Sequence, residues 1–343
     1  MENKQRIKKI NELIKKNNLD FLFISSLKNV TYLSLFTGTS GIIIHTPSSN
    51  YFITDSRYVE RAREEVENYK VIITKDGYLE EIINIVKKYN NVKTFGFEDG
   101  IKFKDYRTIK EKIGLEMFPV NLENIRMIKQ PEEVNNIKKA VLIAERAFKN
   151  VINNIKPGVI EKEIADELNY QMKKYGAEES PFQIIVASGI KTSRPHAKTD
   201  EKIIKKGEVI VVDWGCSFKG YNSDLTRIIV IGKVDEDVLK VYKMLKIAQD
   251  KAIEKIKSGE QISEVDILVR EILKKDGLEK YFTHNLGHGI GLNIHEPPHI
   301  NSKAKGVFKN GMVFTIEPGI YFPGDWGLRV EDTITIKKDI SEK

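Results

Sequence analysis

The chain has only six histidines, yet three of them, together with three glycines, fall in the fifteen residues from Thr283 to Pro297. Glycine lets a backbone pass close to a neighbour or a ligand where a side chain would clash. A neutral imidazole is the commonest protein ligand for a transition metal. His288, set between Gly287 and Gly289, has both features. A lone histidine is more often structural, so His288 needs partners before it means anything.

Carboxylates in apolar runs are the partners. Asp213 ends the run Val209-Ile210-Val211-Val212, and Asp224 precedes Leu225, Ile228, Ile229 and Val230. Buried acids are rare unless they are paired or hold a metal. A hairpin turning on Phe218 and Lys219 sets Asp213 directly opposite Asp224. The pattern recurs: Glu317 lies in Val313–Gly319, Glu331 in Leu328–Thr333, and a hairpin centred on Gly324 sets these two opposite each other. Bare anions at that spacing repel, and a divalent cation between them removes the repulsion. Four carboxylates and one neutral imidazole carry charge −4, which matches two divalent ions. Oxygen-rich ligation with one nitrogen favours Mn2+ and admits Co2+, Fe2+ or Zn2+. The competing reading, unrelated acids on strand edges, must produce all five groups in strand or glycine-turn settings by chance.

The elements that would position these groups follow from periodicity. Residues 4–17 read as an amphipathic helix. Short β-like runs at 21–25, 41–45 and 51–54 come next. Helices near 57–67, 78–89 and 104–113 then alternate with strands 70–74, 93–97 and 115–119, an α/β layered pattern. Asp55-Ser56-Arg57-Tyr58 reads as a strand end followed by a helix cap, and His45 as structural. Polar residues 121–133 with Pro131 and two acids mark a helix start, and the domain boundary is placed there, dividing 1–124 from 125–343. The second domain reads as helices 131–154, 160–175, 236–258 and 262–275, strands 183–187, 208–215 and 223–232, and β-like runs near 282–295, 312–321 and 327–336.

Composition narrows the function class. With 343 residues, the length suits two domains. A net charge of +7 comes from 56 basic against 49 acidic residues that are interleaved along the chain, so it describes a solvated surface and no nucleic-acid patch. No apolar run approaches the roughly 18 residues of a membrane helix. The first eighteen residues lack a signal-peptide core. One cysteine, Cys216, excludes an intrachain disulfide and fits a reducing cytoplasm; it is expected to be inert packing.

Five segments together resemble the metal-dependent pita-bread peptidases, in particular Xaa-Pro dipeptidases (prolidases) and aminopeptidase P. These are Ser193-Arg194-Pro195-His196, Val212-Asp213-Trp214-Gly215, Gly220–Arg227, Gly287–Gly291, and Thr315–Gly319 with Arg329–Asp332. Thr31–Ser34, Thr54–Tyr58 and Arg126–Lys129 likewise resemble a creatinase-type N-terminal domain. The resemblance implies an α/β creatinase-type domain followed by an α+β pita-bread catalytic domain. It implies that Asp213 chelates one metal, that Asp224 and Glu331 bridge both, and that His288 and Glu317 complete the second. It further implies Glu317 as proton carrier, His196 as oxyanion stabiliser and His295 at the substrate's proline side. Arg329 would orient carboxylates or grip a product carboxylate. His284 is a candidate for supporting the ligands or passing protons, Tyr221 and Arg227 for supporting the ligands from behind, and His299 reads as surface. The resemblance implies short proline-containing peptides as substrates, a homodimer formed through the N-terminal domains, and no nucleic acid or membrane partner. Creatinase lacks this metal set, and methionine aminopeptidases usually lack such an N-terminal domain. Dipeptidase is preferred over aminopeptidase P, and a non-catalytic pita-bread binding module is the alternative of another class.

Overall fold

β-branched and aromatic runs separated by amphipathic helices build the N-terminal part of the chain. In the computed structural model, which describes residues 2–338 and 340–343, the chain divides into two units, Met1–Arg126 and Met127–Lys343. The first unit holds α1 (Glu2–Lys16), β1 (Phe21–Ile24), α2 (Leu27–Ser34), β2 (Ile42–His45), β3 (Asn50–Thr54), α3 (Val59–Glu65), β4 (Lys70–Ile73), α4 (Tyr78–Val86), β5 (Thr94–Glu98), α5 (Phe103–Ile113) and β6 (Glu116–Val120). Its six strands form one mixed sheet in the order β4-β3-β2-β1-β5-β6. Phe21, Phe23, Ile44, Ile53 and Phe95 of these strands and Ile82 of α4 share one buried cluster.

Helix α2 was not expected. At eight residues it is too short to show a period, and Asn, Val, Thr and Tyr are mediocre helix formers. Tertiary contacts hold it instead: Val30 and Leu33 are buried, and the Glu98 carboxylate accepts from the backbone N–H of Ser25 and Ser26 just ahead of it. Asp55 caps as expected, accepting from the N–H of Arg57 at 3.1 Å, although the first turn is 3-10 and α3 begins only at Val59. His45 is buried with its Nε2 3.1 Å from the Tyr69 hydroxyl, a structural role.

The second unit holds α6 (Pro131–Val151), α7 (Glu161–Lys174), β7 (Ile185–Ser188), β8 (Val209–Trp214), β9 (Ser217–Phe218), β10 (Tyr221–Asn222), β11 (Leu225–Val230), α8 (Glu236–Lys255), α9 (Ile262–Lys274), β12 (Gly287–Gly289), β13 (Glu296–Ile300), β14 (Val313–Ile316), β15 (Gly319–Tyr321), β16 (Gly327–Arg329), β17 (Asp332–Lys337) and β18 (Ile340–Glu342). Antiparallel sheets run β11-β8-β7 and β13-β12-β14-β17-β18, with β9-β10 and β15-β16 as separate pairs. Proline at the start of α6 and the Glu133 carboxylate accepting from Gln130 N at 2.9 Å explain why that helix begins where it does. Ala140, Ala144 and Ala147 of α6 leave room for Trp214, whose indole N–H donates to the Ala144 carbonyl at 3.0 Å while its ring stacks on Phe148. Ile210, Val212 and Trp214 face that cluster. Successive residues of a strand alternate faces, so Asp213 points to the other side of β8.

The first hairpin turns one residue on from where it was expected to, which shifts the cross-strand pairing by two. Tyr221 pairs with Phe218, and Thr226, not Asp224, pairs with Asp213. The turn residues are Lys219 (φ 50°) and Gly220 (φ 75°), the positive-φ pair that a two-residue hairpin of matching twist requires. A shift of two keeps the face, so both acids still point the same way, now diagonal to each other. The second hairpin has the expected register: Ile316 pairs with Asp332 and Gly319 with Arg329, which leaves Glu317 across from Glu331. The β-like run expected over 282–295 contracts to β12 and a loop, and β18 was not foreseen.

Candidate metal centre

The inner faces of the two hairpins and of β12 meet at a cavity of about 720 Å3. Asp213, Asp224, His288, Glu317 and Glu331 all line it. Single ligand atoms of Asp224, His288 and Glu331 lie within 4.8 Å of one another. His288 Nε2 is 3.4 Å from Glu317 Oε1 and 3.6 Å from Asp224 Oδ2. The strand bearing His288 reaches this point because residue 287 is glycine: a Cβ there would sit 1.9 Å from the Thr315 carbonyl oxygen.

The protonation pattern argues for a cation. His288 Nδ1 lies 3.1 Å from the Gly289 carbonyl, which can only accept, so Nδ1 carries the hydrogen and Nε2 presents a lone pair. Burial, with His295 beside it, lowers the His288 pKa to about 3, so the ring is neutral. A lone pair aimed at carboxylates is repelled unless a positive centre lies between them. The acids show the same frustration. Burial first, then Glu331, Asp213 and Glu317, raises Asp224 well above the usual carboxylate range. Burial, then Glu317 and Asp213, does the same to Glu331. Burial raises Glu317 to about 7, with Arg329 opposing. Asp213 Oδ1 is buried with no hydrogen-bond partner. An orphaned oxygen, a bare imidazole nitrogen and three further carboxyls are a donor set that fits divalent metal ions.

Among the described residues Arg329 is the buried cation that lines the cavity. It is buried and pairs through Nη2 with Asp213 Oδ2. Its Nε donates to Thr226 Oγ1 at 3.1 Å, and Nη1 to the Tyr321 hydroxyl at 2.9 Å and the Pro195 carbonyl at 3.1 Å. These contacts fit the expected role of orienting carboxylates. His284 lines the cavity with Nε2 3.1 Å from the Tyr321 hydroxyl, and Arg270 of α9 donates to its carbonyl at 2.9 Å. His196 and His295 also line it, the His295 ring 4.2 Å from that of His288.

Tyr221, expected to support the ligands from behind, lies off the cavity wall, with its hydroxyl 3.0 Å from Glu133 Oε1 of α6. His299, expected as surface, is exposed and also lines the cavity. Arg227 lies behind the site, donating to the Glu331 carbonyl at 2.6 Å and to Asp332 Oδ1 at 2.9 Å. Sequence reasoning passed over Thr226, Thr315, Tyr321 and Lys198. Thr226 had a signal, since it shares the parity of Asp224 in a strand. Cys216 is buried against the Ala140 carbonyl with its thiol pKa pushed up to about 11, which is inert packing.

Comparison with known proteins bears on this geometry. The model of metallopeptidase family M24 matches residues 135–338, and that of the creatinase/prolidase N-terminal domain matches residues 6–128. An Xaa-Pro dipeptidase of Pyrococcus furiosus is 37% identical over 344 residues, covering 98% of this chain and 96% of that protein. The structure of an Xaa-Pro dipeptidase from Bacillus anthracis superposes with a TM-score of 0.95 at 35% identity, covering 99% and 96% of the two chains. That of an X-Pro aminopeptidase from Thermotoga maritima gives a TM-score of 0.87 at 34% identity, covering 95% of each.

Proposed function

This chain belongs to metallopeptidase family M24, with a creatinase/prolidase N-terminal domain ahead of the pita-bread catalytic domain, and we propose that it is a dinuclear metal-dependent exopeptidase cleaving the Xaa-Pro bond at the N-terminus of short peptides, as a dipeptidase. One observation carries the reading: four carboxyl groups converge with the bare Nε2 of His288 in a single cavity. In this assignment Asp213 would hold one ion, His288 and Glu317 would hold the other, and Asp224 and Glu331 would be shared between them. Bound there, two divalent ions would balance the carboxylate charge, polarise the scissile carbonyl and make a water acidic enough to attack at neutral pH. Manganese is the proposed metal, with Co2+, Fe2+ or Zn2+ as substitutes.

The remaining work falls to the chain's own side chains. An Xaa-Pro bond has no N–H to be recognised, and its nitrogen must gain a proton to leave. Glu317 carries that proton. His196 donates to the oxygen on which charge develops, and His295 contacts the proline side. Four of the five N–H donors of Arg329 are committed, which favours another cation for a substrate's free carboxylate. Lys198 is exposed on the cavity wall and has no salt bridge among the described residues. Asp200, close in sequence, is taken by Lys191 at 2.8 Å. A cation there favours a substrate that ends just after proline. No carboxylate other than the four lines the cavity to oppose it, among the described residues.

The second reading, an aminopeptidase acting on longer Xaa-Pro peptides, is favoured by the likeness to the Thermotoga maritima structure. Hydrolysis of Xaa-Pro against Xaa-Pro-Yaa-Zaa separates the two: comparable or better cleavage of the longer peptide rules out the dipeptidase assignment. A non-catalytic peptide-binding module has less support, because lost ligands mark such domains and all five are present. We also propose a homodimer through the N-terminal domains and a cytoplasmic location. Among the described residues no helix is long and apolar enough to cross a membrane.

A further inference from the structure

Two buried threonine hydroxyls stand between fixed donors and carboxylates of the site. Thr226 Oγ1 receives the Nε–H of Arg329 at 3.1 Å and lies 2.7 Å from Glu331 Oε2. Thr315 Oγ1 receives the backbone N–H of His288 at 3.2 Å and lies 3.2 Å from Glu317 Oε1. Both threonines have no exposed surface. A guanidinium and an amide N–H can only donate, so each hydroxyl must accept from that side. A hydroxyl has one hydrogen, and in both cases the atom left to receive it is a carboxylate oxygen. The direction of each bond is therefore fixed by what lies behind the threonine.

A glutamate has two equivalent oxygens and a soft terminal torsion. A hydrogen bond to one of them breaks the equivalence. With Glu331 Oε2 tied to Thr226, the carboxylate is held in one rotation about that torsion. With Glu317 Oε1 tied to Thr315, the same oxygen stays 3.4 Å from His288 Nε2, which keeps the carboxylate edge on the side of the histidine. The threonines are themselves held by the sheet. Thr226 is the register partner of Asp213, and Thr315 that of Thr333, whose hydroxyl donates to the Asp224 carbonyl at 3.0 Å.

We propose that Thr226 and Thr315 are positioning residues that fix the orientation in which the Glu331 and Glu317 carboxylates face the metals. The inference rests on the two-metal reading above and adds an asymmetry to it. Glu331 is assigned to both ions and Glu317 to one. Losing the Thr226 hydroxyl therefore disturbs both ions, and losing the Thr315 hydroxyl disturbs one.

The experiment titrates the chelator-stripped full chain with Co2+, following heat of binding and the visible absorption of the bound ion. Thr226→Val and Thr315→Val keep the β-branched shape and remove the hydroxyl, whereas Thr226→Ser and Thr315→Ser keep the hydroxyl. We expect Thr226→Val to weaken both ions by about 10- to 100-fold and Thr315→Val to weaken one by about as much, each with an altered absorption spectrum. The serine variants should return affinity and spectrum to those of the wild type. If a valine variant does not fold, Thr→Ala set against Thr→Ser reads the same contrast. Folded valine variants that take up two Co2+ with unchanged affinity and spectrum overturn the proposal. So do serine variants that fail as the valines do, because packing is then responsible. A wild-type chain that takes up no Co2+ overturns the metal reading itself, before any variant is made.

Discussion

Arg329→Met isolates what the single buried cation does for the acidic cavity. The guanidinium is buried, and its donors serve Asp213, Thr226, Tyr321 and the Pro195 carbonyl. Methionine keeps much of the volume and removes the charge. In metal-free protein Asp213 then lies buried with no counter-ion, and removing one partner of such a pair costs about 3–5 kcal/mol. For a unit of this size each kcal/mol lowers the melting temperature by a few degrees, so a fall of roughly 6–20 °C is expected. The pH dependence has a definite sign. Burial already holds the Asp213 pKa above its ordinary value, with Arg329 opposing, so losing Arg329 raises it further. An acid whose folded pKa lies above its unfolded value costs stability while ionised and stops doing so once protonated. The deficit of the variant against wild type is therefore largest near neutral pH and shrinks toward acid. Saturating Mn2+ should also narrow it, since the ions supply the missing charge. Thermal unfolding of both proteins with chelator, near neutrality and in mild acid, measures this. A deficit below about 1 kcal/mol at neutral pH, or one that widens toward acid, refutes the reasoning.

Other expectations are equally direct. Lys198→Met should raise KM for Xaa-Pro by about tenfold, the loss expected for one charge-assisted contact, and leave Xaa-Pro-amide hydrolysis unchanged; equal effects on both substrates would remove Lys198 from carboxylate recognition. Lys129 and Glu296 form an ion pair at 2.8 Å with both side chains about 1% exposed. Either Lys129→Met or Glu296→Gln alone should cost about 3–5 kcal/mol and the double variant much less, measured by denaturant unfolding. Burial lowers the His45 pKa to about 4, so its neutral form stabilises the fold above the unfolded value of 6.5 and that stability fades as pH falls toward 4. The loss is about 3 kcal/mol at full extent; His45→Gln should lack it, and an unchanged pH–stability curve in that variant would discount the histidine.

Much of the site was legible because charge in an apolar strand is conspicuous. Asp213 stood out against Val209–Val212, and strand parity was enough to turn it toward the same side as Asp224. The turn was misplaced because Phe218-Lys219 and Lys219-Gly220 both look acceptable until positive φ at both positions is required. Even so, moving the turn by one residue shifts the pairing by two and preserves the face, where a pairing error of one would have separated the acids. Helix α2 was invisible because its stability lies in tertiary burial and in Glu98, which is distant in sequence. That the Tyr221 hydroxyl meets Glu133 of α6, and that the exposed His299 edges the cavity, was not legible for a related reason. Whether a side chain beside a turn reaches the cavity depends on which helix packs there, and adjacency in sequence does not carry that information. Thr226 and Thr315 resemble ordinary strand residues, and only their partners give them a role.

The central claim is that five side chains from two hairpins and one glycine-flanked strand hold two ions in a working peptidase. Metal content per chain and Xaa-Pro hydrolysis, measured together on wild type and Asp224→Asn, test it most directly. The account predicts two divalent ions and activity in the wild type, and in the variant loss of metal together with at least about a hundredfold fall in kcat/KM. A metal-free wild type that still hydrolyses the dipeptide, or an Asp224→Asn variant that keeps its activity, would contradict it.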